Sequence, residues 1–143
     1  MNKINWTLIF QLSIFGLIMA AATISLIPQI AEPFIWLVIF LFVAYVIAKK
    51  ATGKFFLHGL LVSLVNSIWI TAAHVLFASS YLTNHPQMQE MMANFPDLMR
   101  QHQRISMAIM GPFLGAAFGL IQGLFAFVAS RLVKRGGNRP VTG

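Results

Sequence analysis

Apolar residues along this chain fall into four long runs separated by short polar breaks. The first extends from about Trp6 to Ile27 and stops at Pro28, giving roughly the 20 residues that a bilayer crossing needs. Lys3 and Ala20-Ala21-Ala22 also resemble the basic region and cleavage site of a signal peptide, but the run exceeds a usual h-region and reads as a retained span. After a tight connection from Pro28 to Pro33, the second run covers Phe34 to about Ala48 and is short for a span. Its aromatic residues, Phe34, Trp36, Phe40, Phe42 and Tyr45, suit a lipid-facing position, with Trp36 and Tyr45 near the two interfaces. The third run covers Phe55 to Tyr81 and the fourth about Ile105 to Val133, the last being long enough to require tilt, with a kink near Gly111-Pro112. The expected fold is an all-α membrane protein with four transmembrane helices in one domain, residues 1–135, spanning at about 6–27, 34–48, 55–81 and 105–133. Residues 136–143, GGNRPVTG, have no apolar periodicity and are expected to be disordered.

Small and polar residues are placed unevenly within these runs. The fourth carries glycine at every fourth position, Gly111, Gly115, Gly119 and Gly123, which lines one side of a helix with a shallow groove for a neighbouring backbone. In water such a helix would be poor, since each glycine costs roughly 1 kcal/mol relative to alanine. Lipid enforces helicity, because an unpaired amide there costs several kcal/mol. In the first run Ser13, Gly16, Ala20 and Thr23 make a second small face. In the third, Gly59, Ser63, Asn66, Ser67, Thr71, His74, Ala78 and Tyr81 share an arc of roughly 140° at 100° per residue, a seam of polar contacts more readily than the wall of an open pore.

Between the third and fourth runs lies the only long polar segment, Leu82 to Arg104. Asn84 or His85 can cap a helix with Pro86 at its first position, and Met88, Met91, Met92 and Phe95 give that helix an apolar side suited to an interface. A second start at Pro96, with Asp97 in the first turn, is expected to run directly into the fourth span. The connector is therefore expected to be amphipathic and to face outward.

Composition agrees with this division: 58% of residues are hydrophobic and only 9% charged, far from soluble usage. The formal charge of +7 does not point to nucleic acid, because the basic residues sit at the ends of apolar runs. Eight of them, Lys3, Lys49, Lys50, Lys54, Arg131, Lys134, Arg135 and Arg139, fall on one side and two, Arg100 and Arg104, on the other. The positive-inside rule then places both termini in the cytoplasm. Without cysteine there is no disulfide, thiol redox site or thiolate ligand.

Candidate chemistry is sparse. The acids Glu32, Glu90 and Asp97 lie outside the apolar runs, so no carboxylate relay is expected. A bis-histidine haem would need a partner for His74, and His58 is near the opposite interface, off the polar stripe. His85, Glu90, Asp97 and His102 could ligate zinc chemically, but their spacing matches no motif, and no metal or other cofactor is expected. Ser13, Ser63, Ser67 and Ser106 lack the context of a nucleophile. His74 alone keeps a functional claim, as an ionisable group within a span, against a neutral histidine bonded across helices.

The region from Phe55 to Arg135 resembles a family of small four-span bacterial membrane proteins of unassigned function, found in Bacteroidota. The likeness lies in the third span with scattered Ser and Asn, the step at Asn84, His85 and Pro86, the Met-rich connector, and the Gly-rich last span ending in Lys and Arg. It implies a bacterial cytoplasmic (inner) membrane and no catalytic residues. The functional expectation is a structural or accessory helix-packing subunit, without a reaction, that associates with itself or a larger membrane complex. The alternative is an oligomeric transporter or channel with a polar path along Asn66 and His74.

Overall fold

The computed structural model describes residues 3–133. Within them the chain forms α1 (Trp6–Ser25), α2 (Glu32–Lys50), α3 (Phe55–Leu76), α4 (Ala78–Asn84), α5 (Pro86–Ala93), α6 (Asp97–Gln101) and α7 (Gln103–Leu132). Four of these helices, α1, α2, α3 and α7, are long and apolar enough to cross a membrane. The chain is thus an all-α, multi-pass membrane protein. The tail from 136 to 143, expected to be disordered, lies outside the described residues, as do Lys134, Arg135 and Arg139.

Several boundaries differ from the expected ones. α2 begins at Glu32, with Pro33 in its first turn, where a missing N–H costs nothing. The helix is therefore 19 residues long, a full span, and Glu32 belongs to it rather than to a loop. The third run breaks at Phe77, whose backbone (φ −109°, ψ 32°) leaves the helical region and re-aims α4. Pro86 does open α5, but α6 does not continue into the last span: His102 (φ −118°, ψ 53°) separates them. α7 continues through Pro112.

α3 is the central helix, packed against α7 on one side and α1 on the other. The α7 glycines face it. An added Cβ would collide with Thr71 at Gly111 and with Ser67 at Gly115, and would lie 2.8 Å from Leu60 at Gly119 and 2.8 Å from Phe56 at Gly123. On the other side, Ser13, Gly16, Ala20 and Thr23 of α1 are buried, and the Asn66 side chain occupies the notch left by Gly16. Such close approach suits spans, where packing and hydrogen bonds rather than hydrophobicity join helices.

The two ends of the bundle are filled differently. At the end carrying Lys49, Lys50 and Lys54, a dense core joins Leu8, Ile9 and Leu12 of α1 to Val43, Ala44 and Ile47 of α2, with Val62 and Ala126. His58 is fully buried there: its Nε2 accepts from the Asn5 amide at 3.0 Å, and its Nδ1 donates to the Lys54 carbonyl at 3.0 Å. At the connector end a smaller cluster of Tyr81, Leu82 and Met92 forms the cap. Burial of α2 is confined to Phe40 and beyond, so its first half stands away from α3 and α7.

Candidate functional site

Where α2 stands away, a partly open cavity of about 540 Å³ lies between it, α3 and α7, roofed by α4 and α5. Its size is that of a small-molecule pocket. α3 contributes its polar stripe from Ser63 to His74, α2 contributes Glu32, Trp36 and Phe40, and α7 contributes Met107, Gly111, Gly115 and Phe118. The lining includes exposed apolar side chains of α2 (Leu37) and α7 (Leu114, Ile121), and exposed Gln87 and Met91 of α5. Towards the basic end Phe40 closes it, edge-on to Phe118 and to Phe125 with ring centroids 6.3 Å apart in each pair. Behind that floor Gln122, buried, donates from Nε2 to the Phe40 carbonyl at 3.2 Å and ties α7 to α2.

The polar stripe is divided between seal and wall. Ser63 donates to the Gly115 carbonyl at 3.2 Å, and Ser67 donates back to Leu64 within its own helix at 2.8 Å. Both also border the cavity, as do Asn66, Thr71 and His74. His74 bonds across to α1, its Nε2 lying 3.1 Å from Thr23 Oγ1. Since the Thr23 hydroxyl donates to the Met19 carbonyl at 2.8 Å, it accepts from His74, which places the proton on Nε2.

Three rings then stack from the cavity wall into its roof. His74 lies on Tyr81 at 3.7 Å between centroids, and Tyr81 on His85 at 4.2 Å. His85 Nδ1 is 2.9 Å from the Tyr81 carbonyl, an acceptor only, so this nitrogen carries a proton. Its Nε2 is 3.4 Å from Glu32 Oε2, close enough for an ion pair but without a hydrogen bond. The other Glu32 oxygen accepts from Trp36 Nε1 at 3.3 Å. Burial, and after it the Glu32 carboxylate, push the Tyr81 phenol up to about 12, so it stays protonated.

Three polar atoms here are buried without partners: Asn66 Oδ1, Thr71 Oγ1 and His85 Nε2. All three residues line the cavity. Asn66 Oδ1 sits against Gly16 of α1 and Thr71 Oγ1 against Gly111 of α7, so these two belong to the helix contacts, while His85 Nε2 faces Glu32.

Of the residues the sequence singles out, Asn66, Thr71 and His74 meet at this cavity, whereas Gly16 and Ala20 serve the α1–α3 contact, and Gly119 and Gly123 face α3 alone. Glu32, Trp36, Tyr81 and His85 join the site from helix starts and the connector. Trp36 is turned inward to Glu32, not out to lipid. His85 likewise turns to Glu32, and among the described residues no three His, Asp or Glu side chains converge as a metal ion requires. The only sequence signal for Glu32 and His85 was their place beside a proline at the start of a helix, which says nothing of tertiary neighbours. The fold and site define a helical multi-pass membrane protein with an interhelical cavity. No protein family, curated protein or solved structure matches the chain.

Proposed function

We propose that this protein is a non-enzymatic accessory component of the bacterial cytoplasmic membrane, both termini in the cytoplasm, that holds an amphiphilic molecule in the cavity between α2, α3 and α7. The observation that carries this reading is the cavity itself, about 540 Å³ with mostly apolar walls and a few polar side chains, among them Glu32, Ser63 and His74. Such a mixture, mostly apolar with a few convergent polar groups, is what ligand sites offer. Exposed Leu37, Leu114 and Ile121 among its lining residues offer an apolar approach for molecules dissolved in the bilayer. The α7 glycines act as a zipper that sets the α3–α7 distance, and with Gly16 they are engaged within the chain. Self-association or docking to a larger complex therefore uses the exposed apolar faces of α1, α2 and α7 instead. The cytoplasmic-membrane setting rests on the family resemblance, and the orientation on the eight-to-two distribution of basic residues.

A transport reading has one observation in its favour, the placement of Asn66 and His74 on the cavity wall. Against it, Phe40, Phe118 and Phe125 close the inner end.

Trp36 provides the test. In lipid nanodiscs, a variant keeping only Trp36 (Trp6→Phe, Trp69→Phe) is titrated with an uncharged brominated amphiphile such as a brominated monoacylglycerol. Saturable quenching of Trp36 is expected, beside unsaturable quenching in a variant keeping only the exposed Trp6. Linear quenching in both overturns the reading.

A further inference from the structure

We infer that His85 and Glu32 form a proton-operated clasp, which fastens the roof of the cavity to α2 when His85 is protonated and frees it when His85 is neutral. The clasp is read from the roof contacts alone; its use, governing release of a guest, rests on the binding role proposed above.

The first reason is a count of protons. His85 is only 1% exposed, and each ring nitrogen faces an acceptor: Nδ1 lies 2.9 Å from the Tyr81 carbonyl and Nε2 lies 3.4 Å from Glu32 Oε2. A neutral imidazole has one N–H and serves one of them, whereas the imidazolium donates from both nitrogens. With its proton on Nδ1, the neutral ring turns a lone pair toward a carboxylate, and two acceptors oppose each other across the joint. Protonation replaces that opposition with a charge-assisted bond from the roof to α2. Glu32 keeps 23% of its side chain exposed, so protons reach the pair from solvent.

The second reason is how lightly α5 is otherwise held. Among the described residues of α5, Met92 alone is buried. Gln87 bonds to the α1–α2 turn, its amide donating to Gln29 Oε1 at 3.4 Å and its Oε1 accepting from Gln29 Nε2 at 3.2 Å. Both bonds are exposed, and water competes for them. α4 is anchored more firmly, by buried Ala78, Tyr81 and Leu82 and by a bond from Asn84 Nδ2 to the Ile24 carbonyl at 3.0 Å. His85 stands at the joint between the anchored helix and the loose one, so its bond to Glu32 decides whether the start of α5 stays against α2.

The other ionisable groups around the joint do not take over this role. Those facing His85 are Glu32 of α2, Tyr81 of α4 and, through the Tyr81 ring, His74 of α3. His74 meets Thr23 with a single proton, and Tyr81 stays protonated. α1 carries no ionisable side chain. Glu90 of α5, His102 and Arg104 of α7 are exposed, while Asp97 and Arg100 of α6 pair with one another at the surface.

Distances within the protein test the clasp. The chain has no cysteine, so spin labels at Leu41→Cys and Gln89→Cys, both exposed positions, report α5 against α2 in phosphatidylcholine nanodiscs. A second pair on exposed faces of α1 and α7, Ile14→Cys and Leu124→Cys, reports the bundle itself. The first pair is expected to give one narrow distance at about pH 5 and a broader distribution reaching longer distances at about pH 8, the ends of the range in which histidine changes charge. The second pair should not move. Glu32→Gln should leave the first pair narrow at both pH values, because a neutral amide donates to the neutral ring. His85→Phe, which keeps the ring stack, should leave it broad at both; if that variant also disturbs the second pair, Glu32→Gln decides. In the Trp36-only protein, release of the brominated monoacylglycerol should be about tenfold to hundredfold slower at the lower pH, the span of a charge-assisted hydrogen bond. A first pair indifferent to pH, or a pH response that survives Glu32→Gln, overturns the clasp. Equal release rates overturn its control of the guest. Quenching that never saturates removes the binding role, and the distances still decide the clasp.

Discussion

Gly59 offers a sharp measure of how closely these spans approach. A Cβ added there would lie 2.6 Å from the Gln122 carbonyl oxygen, 2.8 Å from the Gly123 Cα and 2.9 Å from the Gln122 carbonyl carbon. All three are backbone atoms of α7 and none can rotate away, so α3 and α7 must separate by several tenths of an ångström to restore ordinary contact. At Gly119 the nearest atom, 2.8 Å away, is the Leu60 δ-methyl, which can change rotamer, and the backbone oxygen of Leu60 is at 3.2 Å. In a packed interior an added carbon that the structure cannot accommodate costs about 1–3 kcal/mol. Against it stands the helix preference of alanine over glycine, about 1 kcal/mol in water and less in lipid, where helicity is already enforced. The balance for Gly59→Ala is a loss of about 1–2 kcal/mol, with Gly119→Ala within about 1 kcal/mol of neutral. Both variants should insert normally, because the contact joins helices already formed. Equilibrium unfolding in mixed micelles, followed by circular dichroism, reads the difference. A Gly59→Ala protein as stable as Gly119→Ala would refute the close backbone contact, and one more stable than the parent would refute the whole packing argument.

Four other outcomes are expected. Cysteines introduced at Thr52 and Gln89 should react oppositely with a membrane-impermeant thiol reagent on intact cells, with 89 labelled and 52 spared; the reverse pattern inverts the orientation. Gly115→Ile, which drives a branched side chain into Ser67, should lower thermal stability in detergent, while Leu124→Ile on the exposed side of α7 leaves it unchanged. Thr71→Val is isosteric and removes an orphaned buried oxygen, so stability should hold or rise by up to about 1 kcal/mol; a clear loss would mean that Thr71 has a partner in the empty protein. In a Tyr45→Phe variant, phenolate absorbance reports Tyr81 alone and should titrate near 12 rather than at the ordinary 10. Because the folded value is raised, Tyr81 makes stability fall with rising pH between about 10 and 12; titration at the ordinary value would refute its burial.

The sequence alone determined that this is a four-span helical protein, because the bilayer reads only local properties: a run of about 20 apolar residues, a proline that ends it, lysines that flank it. It also placed Gly16, Asn66, Ser67 and the α7 glycines on interfaces, since helical spacing puts residues four apart on one face. What spacing does not say is which helix a face meets. Asn66 turned out to fill the notch of Gly16 on α1, and the α7 glycines to meet Thr71, Ser67, Leu60 and Phe56 of α3. The cavity was decided by tertiary structure altogether, because it arises from a packing shortfall, the first half of α2 standing off while its second half is buried. Glu32 and His85 are 53 positions apart and both looked like interfacial loop residues in sequence. The break at Phe77, which folds α4 and α5 over the bundle, brings His85 back to the start of α2, and the only carboxylate in the site becomes visible once that turn is made.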